Sequence, residues 1–166
     1  MSKSFAVSLS EESILQLSER LAEYKDWIRE KADMLSQRLA MVGIYEASIR
    51  FNGAYYDSDR GNDTDLSVEK LDGGYSIVAK GTQVCFIEFG AGVYYNGFEP
   101  HPKRPAEVSP IGGYGKHKGS QEAWGYYSSD GELHITHGTP AAMPMYHASQ
   151  KIEHELLSIA REVFSD

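Results

Sequence analysis

The sequence predicts an α+β fold, and three observations predict it. Helical periodicity dominates both ends of the chain, β-branched and aromatic residues gather in its middle, and strands do not alternate with helices as a parallel sheet requires. The expected architecture is a long N-terminal helix, an antiparallel sheet of about four strands with a long Pro/Gly-rich loop and a hairpin, and a C-terminal amphipathic helix packed on the sheet. A length of 166 residues suits one domain over 1–166 with a single core.

From Ser10 to Val42, the residues Ile14, Leu17, Leu21, Tyr24, Ile28, Leu35, Leu39 and Val42 recur at steps of three and four, skipping only near Lys31 and Ala32. This reads as one helix over 10–42. Ser8 and Glu11 have capping-box spacing at its start, and Gly43 is its expected stop. About 33 residues at about 1.5 Å each give roughly 50 Å, longer than such a domain is wide, so part of the helix is expected to project or kink.

Ile44–Tyr56 and Tyr75–Phe89 read as strands from their β-branched and aromatic content, although VCFIEF is short enough to be a buried helical turn. Between them, Asp57–Gly74 carries six acids and two bases without an apolar period. It is expected to be a solvated loop or long hairpin tip. Residues 97–119 hold four prolines and five glycines, which excludes helix or central strand. A loop of that length is usually functional or mobile.

The stretch WGYYSSDGELHITHG alternates about Asp130-Gly131, a dipeptide suited to a hairpin turn. At the end of the chain Met145, Ala148, Ile152, Leu156, Ile159 and Val163 form one stripe opened by Pro144, which predicts a helix over 144–165. No internal repeat is present.

Composition narrows the function classes. The chain is 41% hydrophobic, 24% charged and 11% aromatic, which excludes wholesale disorder and collagen-like fibres. No apolar run approaches the roughly 20 residues of a spanning helix, and the first residues lack a signal-peptide pattern. A soluble, non-exported protein is expected. Sixteen Lys and Arg against 24 Asp and Glu leave a net charge of −8, which argues against a broad phosphate-gripping surface. The one cysteine, Cys85, cannot form an internal disulfide, and its apolar neighbours predict a buried structural thiol rather than a nucleophile.

Six histidines invite a metal hypothesis, but the spacing opposes it. His134 and His137 would face opposite sides of a strand, and His147 and His154 are two helical turns apart without an intervening carboxylate motif. GGYGKHKG departs from a phosphate loop at Pro110 and His117. DSDRGNDTD departs from a calcium loop at Gly61, Asn62 and Val68. No catalytic constellation stands out, so no enzyme, cofactor or metal is expected. Eleven tyrosines, with pairs at Tyr55-Tyr56, Tyr94-Tyr95 and Tyr126-Tyr127, favour an assembly surface.

Two alternatives compete with that expectation. One is a small metal-dependent hydrolase or toxin using His134, His137 and His147. The other is an adaptor whose first helix pairs as a coiled coil, opposed by Lys31 at a seam position.

Two stretches carry a family resemblance, IEFGAG at Ile87–Gly92 and AWGYYSSDGELHITHGTPAAMPMYHA at Ala123–Ala148. The chain resembles the tailed-bacteriophage tail-completion or minor tail proteins, also called head-tail joining or neck proteins. The matching residues are Glu88, Phe89, Gly90 and Gly92, then Trp124, Tyr126 and Tyr127, then Gly138, Ala142, Pro144, Met145, Tyr146 and Ala148. Ala91 stands where the family commonly has Thr. With Tyr95 and Phe98, these are the expected structural or interface residues. Gly90 and Gly92 have a physical reading of their own, since both can take positive φ and turn the chain sharply away from the sheet.

The resemblance implies a non-enzymatic virion protein, found in the host cytoplasm during assembly and then at the head-tail junction or in the tail. It implies a sixfold ring, monomeric before assembly, that joins the head connector or adaptor to the tail tube or terminator. DNA passes through as cargo, and no membrane is involved. Residues 97–119 would be an arm that orders against a neighbour.

Overall fold

The computed structural model describes residues 10–54, 63–90, 101–103, 124–128, 130–136 and 141–165. In chain order these form α1 (Glu11–Gly53), β1 (Asp65–Leu71), β2 (Gly74–Lys80), α2 (Val84–Phe89), β3 (Trp124–Tyr127), β4 (Leu133–Thr136) and α3 (Pro144–Ser165). The α+β class is as the sequence predicts. The arrangement of the strands is not.

The first helix is 43 residues long, about 65 Å, and runs well past the expected stop. It begins at Ser10, whose hydroxyl accepts the Ser13 N–H at 3.3 Å, with Glu11 and Glu12 complementing the positive end of the helix dipole. Ser8, the expected cap, lies outside the described residues. At the far end the Ala54 N–H closes onto the Arg50 and Phe51 carbonyls.

Gly43 does not end the helix because it is a contact point. A Cβ at this position would lie 2.6 Å from Ile152 Cδ1 and closer still to Ile77 Cδ1. Ala40, Gly43 and Ala47 form a strip of small buried residues through which α3 and β2 approach the α1 backbone. The expected strand at Ile44–Tyr56 is therefore the last part of α1, up to Gly53, where the burial of Ala47 and Phe51 in the core overrides the strand propensity of Ile44 and Ile49.

The second expected strand divides. Gly74–Lys80 is β2, but VCFIEF is α2, the alternative its short length left open. The acidic stretch expected to be a loop contains β1, which pairs antiparallel with β2 from Asp65↔Lys80 to Leu71↔Gly74. Asp72 and Gly73 make the two-residue turn between them, with Gly73 at φ 89°. The hairpin is tied to α1 through Asp33, whose carboxylate accepts Lys70 Nζ at 3.0 Å and the Tyr75 hydroxyl at 3.3 Å.

The predicted hairpin about Asp130-Gly131 is present as β3 and β4, with Tyr127 opposite Leu133 and Gly131 at φ 85°. Among the described residues it does not join the first hairpin, so the four strands make two separate two-stranded sheets instead of one. The helix over 144–165 has the predicted limits, but it packs chiefly against α1 and not on a sheet. The two helices run antiparallel, from Phe51 beside Ala148 in the core to Trp27 edge-on to Phe164 at 5.8 Å. Arg38 reaches Glu162 at 2.7 Å along the same seam.

Ala47, Phe51, Ile87 and Ala148 form the centre of the core, with Leu66, Ala79, Val84 and Met145 packed around it. Burying each large member contributes about 1.5–3 kcal/mol. Ile87 brings α2 into this cluster, and that placement sets its neighbour Glu88 against the start of α3.

Candidate functional site

Glu88 is a charged residue in the interior, 6% exposed, one step from the core residue Ile87. Its position follows from α2, a helix of 6 residues whose Ile87 and Glu88 turn inward while Cys85 and Phe86 face out. The expected burial of Cys85 is thus corrected: the thiol is exposed, because the apolar face of α2 is spent on Ile87.

The Glu88 carboxylate accepts three hydrogen bonds. Oε2 receives the Met145 N–H at 2.7 Å, and Oε1 receives the Tyr146 N–H at 2.9 Å and His101 Nε2 at 2.9 Å. Met145 and Tyr146 occupy the second and third positions of α3, whose amides have no partner within the helix. A helix usually satisfies them with a Ser, Thr, Asp or Asn at its cap position. Here that position holds Met143, at φ 53°, which has no side-chain oxygen to offer. Glu88 supplies the cap from 57 residues away and places a negative charge at the positive end of the helix dipole.

Three further features fix the joint. The Ala142 N–H donates to the Ile87 carbonyl at 2.9 Å, holding the chain just before α3 against α2. Pro144 starts the helix without an amide to satisfy. At the other side, Gly90 ends α2 at φ 74°, the positive angle anticipated from its sequence setting.

His101 completes the cluster. Its Nδ1 accepts the Lys103 N–H at 3.0 Å, so the ring proton resides on Nε2 and is donated to Glu88. The ring is edge-on to Phe89 at 4.8 Å and to Tyr146 at 5.2 Å. Both ring nitrogens are occupied, which suits a positioning part better than a proton shuttle. A cavity of about 400 Å³ borders the cluster, with Cys85, Lys103 and Ser149 on its walls. No side-chain pattern singled out His101, because its partners lie on α2 and α3 and only folding brings them together.

Of the residues named from sequence, Glu88, Phe89, Gly90, Pro144, Met145 and Tyr146 come together here. Trp124, Tyr126 and Tyr127 lie apart on β3, opposite Thr136, His134 and Leu133. Gly92, Tyr95, Phe98 and Gly138 fall outside the described residues, as does most of the 97–119 arm. On the β3–β4 hairpin, Tyr127, Leu133 and Ile135 share one face and are exposed.

The histidines of the metal hypothesis are dispersed where they are described. His134 is on β4, while His147 is on α3 near Arg50 and Glu46, with burial and then the Arg50 charge holding it below the usual histidine range. His137 is outside the described residues. Among the described residues no group of three or more His, Cys, Asp or Glu is placed to hold a metal. Asp63, from the acidic stretch, accepts the Thr82 N–H at 2.8 Å and hydroxyl at 2.7 Å, and these bonds lower its carboxyl below the usual range. Among the described residues no helix is long and apolar enough to cross a membrane.

Comparison with known proteins finds no matching family model, curated protein or solved structure.

Proposed function

We propose that this chain is a structural component of a tailed phage, a ring-forming tail-completion or head-tail joining protein that links the head connector to the tail. The observation that carries the reading is the bond set of Glu88. The resemblance rests on two stretches separated by about thirty residues of unlike sequence, and Glu88 in the first caps the helix that opens in the second. Motif residues that would look independent in the chain act as one joint. A glutamate, a turn-forming glycine and a helix-opening proline form that joint, and none of them needs a substrate.

Two features fit an assembly role. The exposed face of Tyr127, Leu133 and Ile135 has the rigid aromatic and aliphatic character of an interface core. The net charge of −8 suits a passage through which DNA slides without being gripped. Copies of the chain close a sixfold ring, and the neighbours are the connector above and the tail tube or terminator below.

A density map of the neck of intact particles tests this reading. It is expected to contain a ring into which α1, α3 and both hairpins fit. A neck fully accounted for by other chains rejects it.

A further inference from the structure

The two-residue turn at Asp72 and Gly73 makes Leu71 and Gly74 a hydrogen-bonded pair, and the alternation of an antiparallel ladder then gives the next bonds to Glu69↔Ser76, Ser67↔Val78 and Asp65↔Lys80. The N–H and C=O groups of Tyr75, Ile77 and Ala79 therefore point the other way, off the edge of β2 remote from β1. Among the described residues no backbone or side-chain group bonds to them, and no strand pairs with that edge. Packing does not close it either. A cavity of about 480 Å³ lies between Gly74, Tyr75 and Ile77 on one side and α3 on the other, and the cavity of about 400 Å³ beside the joint continues it past Ala79. Met145 and Ser149 line both, so the two make one groove with the open edge of β2 as one wall and α3 as the other.

Such a groove suits an extended strand, which main-chain bonds attach and alternate side chains anchor. The chain carries a fitting sequence ahead of α1: residues 3–9 alternate Phe5, Val7 and Leu9 with Ser4, Ala6 and Ser8. Paired with β2, Phe5 and Val7 would extend the row of Tyr75, Ile77 and Ala79, the side that faces α1 through the Tyr75–Asp33 bond and the approach of Ile77 to Gly43. Ser4, Ala6 and Ser8 would lie beside Ser76 and Val78 on the outer face. A copy's own segment cannot do this. It ends next to the helix cap Ser10, whereas Asp33, tied to the start of β2, lies about 35 Å farther along α1. Fully extended, residues 3–9 reach about 24 Å.

We propose that residues 3–9 of one copy of this chain add as a strand to the free edge of β2 in a second copy, within the groove walled by α3. Donor and acceptor surfaces differ, so the contact is head-to-tail. The inference stands apart from the phage reading and does not rest on it.

The full chain carrying Cys85→Ser, which removes the exposed native thiol, is the starting protein. Light scattering is expected to give a mass above that of the monomer that rises with concentration. Phe5→Asp and Val7→Asp are each expected to weaken association about tenfold, and Ser4→Asp, on the outward side, about twofold at most. All three leave the core untouched. For the direct test, a preparation with Ala6→Cys is mixed with one carrying Ser76→Cys or Val78→Cys and mildly oxidised. A disulfide between the two preparations is expected at one of these β2 positions, and far less with Glu69→Cys on β1. A monomer at every concentration overturns the proposal, as does association indifferent to Phe5→Asp and Val7→Asp. Absence of the mixed disulfide, the result if residues 3–9 lie against their own chain, or its preference for Glu69→Cys, overturns it equally.

Discussion

The Glu88 carboxylate accepts the backbone N–H of Tyr146 at 2.9 Å, across 58 residues of chain. This single relationship explains why a glutamate is buried beside the core and why α3 begins at a methionine-proline step with no capping side chain of its own. It also makes the fold sensitive at the joint between α2 and α3.

Removing the carboxylate should therefore be costly. Glu88→Ala leaves two helix amides and the His101 ring without an acceptor, and the expected loss is about 3 kcal/mol from the cap and the stranded buried donors. Glu88→Gln keeps one acceptor oxygen and should lose less, about 2 kcal/mol. Urea unfolding of the three proteins checks the order. Equal stability of Glu88→Ala and the parent would show that the cap contributes nothing.

Two glycines of the same helix should respond in opposite directions. Gly43→Ala puts a methyl into the space held by Ile77 and Ile152, and the expected cost is about 1–3 kcal/mol despite the better helix propensity of alanine. Gly53→Ala meets nothing within 4 Å and should stabilise by about 0.5–1 kcal/mol. Thermal unfolding of both variants gives the signs directly.

Stability should fall on mild acidification through His147. Burial, reinforced by Arg50, holds this ring below its ordinary value of 6.5 in the folded chain. Above that value both states are neutral and the contribution is complete. As the pH drops through it, the unfolded chain takes up the proton first, so stability declines until the folded ring also titrates. His147→Gln should flatten the dependence between about pH 7 and pH 5, measured as urea midpoints. An unchanged slope would assign the loss to other groups.

The sequence made some elements plain and concealed others for identifiable reasons. Pro144 and the stripe from Met145 to Val163 marked both limits of α3, and Asp130-Gly131 marked the second hairpin. Gly43 misled because a glycine after a periodic segment looks like a helix stop, and only the approach of Ile77 and Ile152 shows it to be a packing position. The strand β1 was hidden by its charges, since Asp65, Glu69 and Lys70 erase the apolar alternation and only Leu66, Ser67 and Val68 are half-buried. The joint itself was half legible. Glu88 and Pro144 stood out through the resemblance, but the histidine between them could be found only once α2 and α3 were brought together.

Electron microscopy of particles assembled without this chain tests the account most directly. Heads and tails that accumulate unjoined or defective, and that are rescued by the parent protein, are the expected result. Complete, infectious particles built in its absence would contradict it.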